Sequence, residues 1–257
     1  MNNGMDPIVA PFKIDPLRIF YCAWRTVRLK SGLVCIGPSG CFEFMHAHDT
    51  QSRHLAIGLA GLAGFTDALG FLSLGGFFVS FMSGNSTRFA VGLSEKISWS
   101  FALVPFGIIL LFVCGVMLGR FVRSYCASRP ATAILCFMAA LLIVAALASE
   151  VGLPIIAAPL MAVAMGAANN VFVRDGEVAV GVTYMTGTLV KLGQRLAGQL
   201  MGEPDHDWMP YLLLWVGLSG GAIIGALCYH WWGLHATWIA AVFCGLLAIR
   251  AAKSEKA

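Results

Sequence analysis

Two copies of one polar pattern lie about a hundred residues apart in otherwise apolar sequence. The first is Phe81-Met82-Ser83-Gly84-Asn85-Ser86-Thr87-Arg88 and the second is Tyr184-Met185-Thr186-Gly187-Thr188-Leu189-Val190-Lys191. Each reads aromatic, Met, hydroxyl, Gly, three residues, base. Such a segment suits the start of a helix broken inside a bilayer. Ser83 or Thr186 can cap the first exposed N–H groups, and Gly84 or Gly187 lets backbone or ligand approach closely. A half-helix that points its N-terminus at the midplane carries partial positive charge and favours an anionic group. Arg88 and Lys191 lie one turn later on the faces of Gly84 and Gly187. They can hold an anion, neutralise a nearby carboxylate, or snorkel to the headgroups.

The carboxylate within reach is Asp67. An ionisable group inside a span costs at least a few kcal/mol, so it faces a cavity or a partner. Gly58, Gly61 and Gly64 precede it at three-residue steps and give that helix a smooth side for close packing. Asp67 reads either as a substrate, ion or proton site or as a structural hydrogen-bonding group. Asn169 and Asn170 are weaker signals, because amides also join helices. The expected small-molecule site therefore comprises Asp67, Ser83, Gly84, Asn85, Arg88, Asn169, Asn170, Thr186, Gly187, Thr188 and Lys191.

Other chemistry finds little support. Ser83-Gly84-Asn85-Ser86 resembles a nucleophile turn, but no histidine lies at bilayer depth to activate it. The sequence has no Walker, dinucleotide or zincin motif, so neither an enzyme nor a bound cofactor is expected. His46, His48, Asp49 and His54 cluster near the N-terminus, where histidines are more often solvated than metal ligands. No metal is expected. The net charge of +4 is modest, and the bases sit at span ends, so nucleic acid is not a partner.

The elements that must position these residues follow from hydropathy. Hydrophobic residues make up 58% and charged residues 12% of the chain, about half the charge of a soluble domain. Its mean hydropathy is +0.79. Spans are expected at about 55–80, 98–120, 131–149, 152–173, 209–229 and 235–250, each near the roughly 20 residues that cross the hydrocarbon core. Pro154 and Pro159 should kink the fourth. Residues 1–53 show no sustained period and read as a poorly ordered leader, with Met45 a candidate start. Residues 251–257 form a short basic tail. None of the eight cysteines makes a C-x-x-C pair, so no disulfide is assigned.

Topology follows the bases. Six spans place Arg25, Arg28, Lys30 and Arg53, then Arg120, Arg123 and Arg129, then Arg174, Lys191 and Arg195, and finally Arg250, Lys253 and Lys256 on one side, with both termini cytoplasmic. Eight full crossings would throw basic clusters outside. The two motif segments are therefore read as broken or half-helices. Trp99, Trp208, Trp231 and Trp232 fall where an interfacial belt would lie.

The pattern extends beyond the motif. Gly64-Phe65-Thr66-Asp67-Ala68 matches Gly166-Ala167-Ala168-Asn169-Asn170, and Gly115-x-x-x-Gly119 matches Gly221-x-x-x-Gly225, in the same order. Halves of about 54–149 and 152–250, each with three spans, would run in opposite senses. The expected fold is thus an all-α membrane protein of about six spans, built from an inverted duplication. The GxxxG faces pack within the fold or join two copies in a homo-oligomer.

Ala63 to Leu72, Leu74-Gly75-Gly76-Phe77-Phe78-Val79 and Met82-Ser83-Gly84-Asn85-Ser86 together resemble the YoaK-type family of bacterial inner-membrane proteins, a family of unknown function. Met165 to Asn170 and Val182 to Leu189 are similar too. Family members usually carry Thr-Gly-Asn at Ser83-Gly84-Asn85 and Gln-Asn at Asn169-Asn170. The resemblance covers roughly residues 54–250 and implies a multi-span inner-membrane protein with no named substrate. The leading expectation is a transporter or exporter of a small molecule, an anionic metabolite by the half-helix argument. The alternative is a membrane assembly or sensor protein whose polar motifs only lock helices.

Overall fold

The computed structural model describes residues 25–29, 32–36, 50–94, 99–174, 177–178, 180–202 and 207–255. The chain divides into two compact units, Met1–Phe44 and Met45–Ala257. In the smaller unit β1 (Arg25–Leu29) pairs antiparallel with β2 (Gly32–Ile36), Leu29 opposite Gly32. This hairpin lies within the stretch read as a poorly ordered leader. Val27, Val34 and Ile36 are β-branched, and two residues suffice to connect hairpin strands. The rest of the leader, with His46, His48 and Asp49, lies outside the described residues.

The larger unit is helical. Its helices are α1 (Thr50–Ser73), α2 (Met82–Ser94), α3 (Trp99–Tyr125), α4 (Pro130–Glu150), α5 (Pro154–Ala168), α6 (Met185–Leu200), α7 (Met209–Trp232) and α8 (Thr237–Ser254). A two-residue ladder, β3 (Val173–Arg174) with β4 (Glu177–Val178), follows α5. Among the described residues, four stretches are long and apolar enough to cross a membrane: Ser52–Ser73, Phe101–Tyr125, Pro130–Glu150 and Met209–Ser254. The last is 46 residues long and folds back where Gly233, at φ 56°, ends α7. Pro154 begins α5 instead of kinking it, and Pro159 alone lies inside that helix. Pro is favoured at the first helical position, where its missing N–H leaves nothing unpaired.

Close contacts fix the direction of each helix. Gly217 packs on Ile57, Gly221 on Gly61 and Gly225 on Phe65, so α1 and α7 run parallel. Gly115 packs on Val163 and Gly119 on Ala167, so α3 and α5 run parallel. The Glu255 carboxylate accepts bonds from Ala131 and Thr132 at the start of α4, while Glu150 at its end meets His235 and Trp238. Helices α4 and α8 are therefore antiparallel. Gly58 of α1 lies against Leu247 and Phe243, which makes α1 antiparallel to α8 as well. Six helices thus traverse the bundle with alternating sense: α1, α3, α4, α5, α7 and α8. The 125–131 turn, residues 170–173, Ser52 and Glu255 share one end, tied together by Arg123, by Glu255 and by the groove between α1 and α8.

Glycine makes the close approaches. A Cβ on Gly64, Gly115, Gly166 or Gly221 would overlap a backbone carbonyl oxygen of the facing helix. The GxxxG pairs are therefore used inside this bundle and are not free to join two copies. Each parallel pair buries apolar side chains beside this seam: Leu59, Leu62 and Ala63 on one, Ala158, Met161 and Ala162 on the other.

Candidate functional site

Helices α2 and α6 do not traverse the bundle. They are 13 and 16 residues long, and since the 15-residue α5 does traverse it, what sets them apart is that each begins at mid-bundle, beside a cavity that Phe112 also lines. After α1 the chain turns through Gly75 (φ 67°) and Gly76 (φ 105°), and residues 77–81 double back beside the helix they have just left. Helix α2 then runs outward and ends with Gly92 against Phe101 at the start of α3. Helix α6 repeats this at the other end of the bundle and packs on α7. The two N-termini converge from opposite ends. A cavity of 290 Å³ lies between them, lined by Ser80 to Ser83, Thr183 to Gly187 and Phe112, which is halfway along α3.

A second cleft, of 680 Å³, shares Ser80, Phe81, Thr183, Met185 and Thr186 with the first. It opens toward α1 and α7 through Asp67, Phe71, Leu218 and Ala222. Its walls are largely apolar, with Asp67, Ser80, Thr183 and Thr186 as the polar side chains among its lining residues.

Each doubled-back loop is held by one residue at its neighbouring helix. The Asp67 Oδ1 accepts the N–H groups of Val79 (2.8 Å) and Ser80 (2.7 Å), and Oδ2 accepts the Ser80 hydroxyl at 2.6 Å. In the second half the Thr183 hydroxyl donates to Asn169 Oδ1 at 3.1 Å, and Asn169 Nδ2 donates back to Met165 O. Both arrangements join a hydroxyl to an Asx residue at the matched position. The carboxylate holds three donors and the amide one, so the first loop is bound more tightly.

The expected site residues divide accordingly. Ser83, Thr186, Gly187 and Asp67 line the cavities. Asn85 does not. It is fully buried, its Oδ1 accepting the Phe78 N–H at 3.0 Å and its Nδ2 donating to Phe78 O at 2.7 Å. Gly84 packs under Phe81 and Phe78. Arg88 neither faces the cavity nor pairs with Asp67. Its guanidinium sits 5.6 Å from the ring centroids of both Phe71 and Phe77, a cation–π arrangement that suits a cation at depth. Asn170 donates to Val116 O across to α3, and Arg123 donates to the Asn170, Val171 and Val173 carbonyls beyond α5. Thr188 bonds back to Tyr184 O within its own helix, and Lys191 is half-buried further along α6.

The capping expectation fails at α6. That helix starts from Tyr184 with no side-chain cap, so its first amides are unspent by Thr186. Ser83 and Thr186 are exposed residues that line the cavity. Two residues escaped the sequence reading: Ser80 and Thr183, the anchored hydroxyls. Each stands immediately before its motif, so extending the repeated pattern one position upstream would have found them.

Among the described residues no group of three or more His, Cys, Asp or Glu side chains could hold a metal ion. Cys114, Cys126, Cys136, Cys228 and Cys244 are free thiols.

Comparison with known proteins agrees with this architecture at the family level. The family model "Protein of unknown function (DUF1275)" matches residues 55–250, nearly the whole helical unit. A UPF0700 transmembrane protein of Rhizobium meliloti (strain 1021) is 36% identical over 211 residues, covering 78% of this chain and 89% of that protein. No solved structure matches. With bilayer-length apolar helices and a transmembrane relative over most of its length, this chain is a transmembrane protein belonging to the YoaK-type DUF1275 family.

Proposed function

We propose that this protein is a transporter or exporter of a small molecule bearing an anionic group, bound where α2 and α6 begin, and that it carries out no covalent chemistry. The observation that carries the proposal is the convergence of two half-helix N-termini on one cavity. Helix N-termini present unspent N–H groups and partial positive charge, and Ser83 and Thr186 add hydroxyls that can donate to the same ligand. Irregular backbone at bilayer depth is tolerated where it is buried in protein or lines a water-filled cavity.

The site would lie between two inverted halves, α1–α4 and α5–α8. Matched contacts support that duplication. Gly64 on Leu218 corresponds to Gly166 on Phe112, and Gly115 on Val163 corresponds to Gly221 on Gly61. The hydroxyl–Asx pairs, Ser80 with Asp67 and Thr183 with Asn169, obey the same pairing. The bases Arg120, Arg123, Arg129, Arg250 and Lys253 belong to one end of the bundle, which supports placing both termini in the cytoplasm. The proposed location is a bacterial inner membrane; the Rhizobium relative, a transmembrane protein, supports a membrane location.

The competing reading, a non-transporting assembly or sensor protein, draws on the internal use of Asp67, Asn85, Asn169 and Asn170 as helix-to-loop anchors. Untargeted metabolite profiling separates the two. Cells with and without the protein are compared inside and outside, alongside cells carrying Ser83→Ala with Thr186→Val. Transport predicts an anionic metabolite that redistributes with the native protein and not with the double variant. Identical profiles in all three, with both proteins present in the membrane, would sink it.

A further inference from the structure

Away from the cavities between α2 and α6, a second pair of hollows lies along the seam of α1 and α8. The first is a 310 Å³ basic pocket at the bundle end, lined by Ser52, His54, Arg250, Lys253 and Ser254 around Leu55 and Ala251. Arg250 and Lys253 are exposed and have no ion-pair partner among the described residues. The neighbouring acid, Glu255, is spent on the N-terminus of α4. The second hollow is a 380 Å³ apolar groove, formed by α1 with α7 and α8. Gly58, Gly61, Gly217 and Gly220 hollow it out, and Phe243 and Ile239 wall it.

The two hollows follow one line. On α1, His54, Gly58, Gly61 and Phe65 recur at four, three and four residues, which is a single helix face. On α8, Arg250, Leu247, Phe243 and Ala240 recur at three, four and three. Gly58 touches Leu247 and Phe243, so these two faces meet between the pocket and the groove. A basic cup at the membrane edge and an apolar groove nearer the centre therefore lie along one seam, sharing no lining residue and parted by the contact of Gly58 with Leu247 and Phe243.

We infer that this seam is a binding site for an anionic phospholipid, whose phosphate sits among Arg250, Lys253, His54 and Ser52 and whose acyl chain lies in the glycine-lined groove. Charge selects the occupant. Unpaired cations at a bilayer surface attract anionic headgroups, while a neutral lipid would leave them uncompensated. Geometry selects lipid over a free anion, because the pocket alone would hold phosphate and would have no use for the groove behind it.

The test is native mass spectrometry of the full chain from nanodiscs containing phosphatidylglycerol and phosphatidylcholine. The native protein should retain phosphatidylglycerol in preference to phosphatidylcholine. Arg250→Gln with Lys253→Gln should weaken that retention roughly 30-fold, at the usual worth of two surface bases. Gly220→Leu gives a second route that spares the charges. A Cβ there meets nothing within 4 Å and Gly220 lines the groove, so the protein should fold and the rest of the side chain should occupy the groove. Retention should fall for that variant too. Equal retention of the two lipids by the native protein overturns the site. Unchanged retention in either folded variant overturns it as well. Full displacement by millimolar inorganic phosphate would reassign the pocket to a soluble anion.

Discussion

Asp67 separates a loop anchor from a charge that works. Its carboxylate accepts three hydrogen bonds, at 2.6–2.8 Å, from Val79 and Ser80. Val79 and Ser80 are both buried. In Asp67→Asn the remaining oxygen can still accept both N–H groups. The new amide faces the Ser80 hydroxyl, which can rotate to accept. Charge-assisted bonds become neutral ones, a loss of about 1–3 kcal/mol in all. The chain already uses this chemistry, since Asn169 receives Thr183 at the matched position. Asp67→Leu keeps the branched shape, at a larger volume that adds an overpacking cost, and removes every acceptor. Three donors left dry would cost about 3–9 kcal/mol, comparable with a total stability of about 5–15. Heating the fluorescent-protein fusion and following the monodisperse size-exclusion peak measures both. The Asn protein should keep that peak with a midpoint roughly 2–10 °C lower, and the Leu protein should lose it. If the Leu protein melts with the Asn protein, water satisfies the loop and the anchor reasoning is wrong. If the Asn protein alone collapses, the charge itself is structural. Once the Asn protein folds, its metabolite profile reads the contribution of the charge to transport.

Three further outcomes are expected. Gly64→Ala and Gly166→Ala should each destabilise by at least the 1–3 kcal/mol of ordinary overpacking, because the new Cβ overlaps a facing carbonyl whose carbon is 2.9–3.0 Å away. Gly220→Ala, which meets nothing, should be neutral or slightly stabilising by helix propensity, and similar losses at all three positions would discredit the matched seams. Glu255→Ala removes three bonds from the start of α4, which has no side-chain cap of its own, and should lower stability by about 1–2 kcal/mol in the same melting assay. A membrane-impermeant maleimide should reach the exposed Cys126 only after cells are opened, and labelling of intact cells would invert the proposed orientation.

Much of the fold was legible because bilayer physics is crude. A run of apolar residues near 20 long has few fates, and the six stretches read from hydropathy fall on α1, α3, α4, α5, α7 and α8. The basic clusters limited the count to six, which made half-helices of the two motif segments. The largest boundary error follows from the same crudeness. Residues 74–80 are as apolar as the helix before them, so hydropathy extended the first span through Gly75 and Gly76, where the chain turns back. Only the positive φ pair marks that reversal.

The two motif segments were legible in the sequence and the direction of each of their side chains was not. A repeated pattern says which residues are equivalent. It does not say which way a side chain points from the first turn of a short helix. Ser83 and Asn85 are two residues apart, about 200° around an α-helix, so one faces the cavity when the other faces the doubled-back loop. Asn85 offers both a donor and an acceptor, and the loop at Phe78 needs one of each, so burial against the backbone satisfies it completely. Arg88 follows the same logic. One turn beyond Gly84 it meets two aromatic faces and not a carboxylate, while Asp67 is engaged by the Val79 and Ser80 N–H groups and the Ser80 hydroxyl. Polar residues at depth are thus sorted by the backbone they must satisfy first. Under the proposed function, what remains for a ligand is the pair Ser83 and Thr186, which line the cavity where the two loops meet.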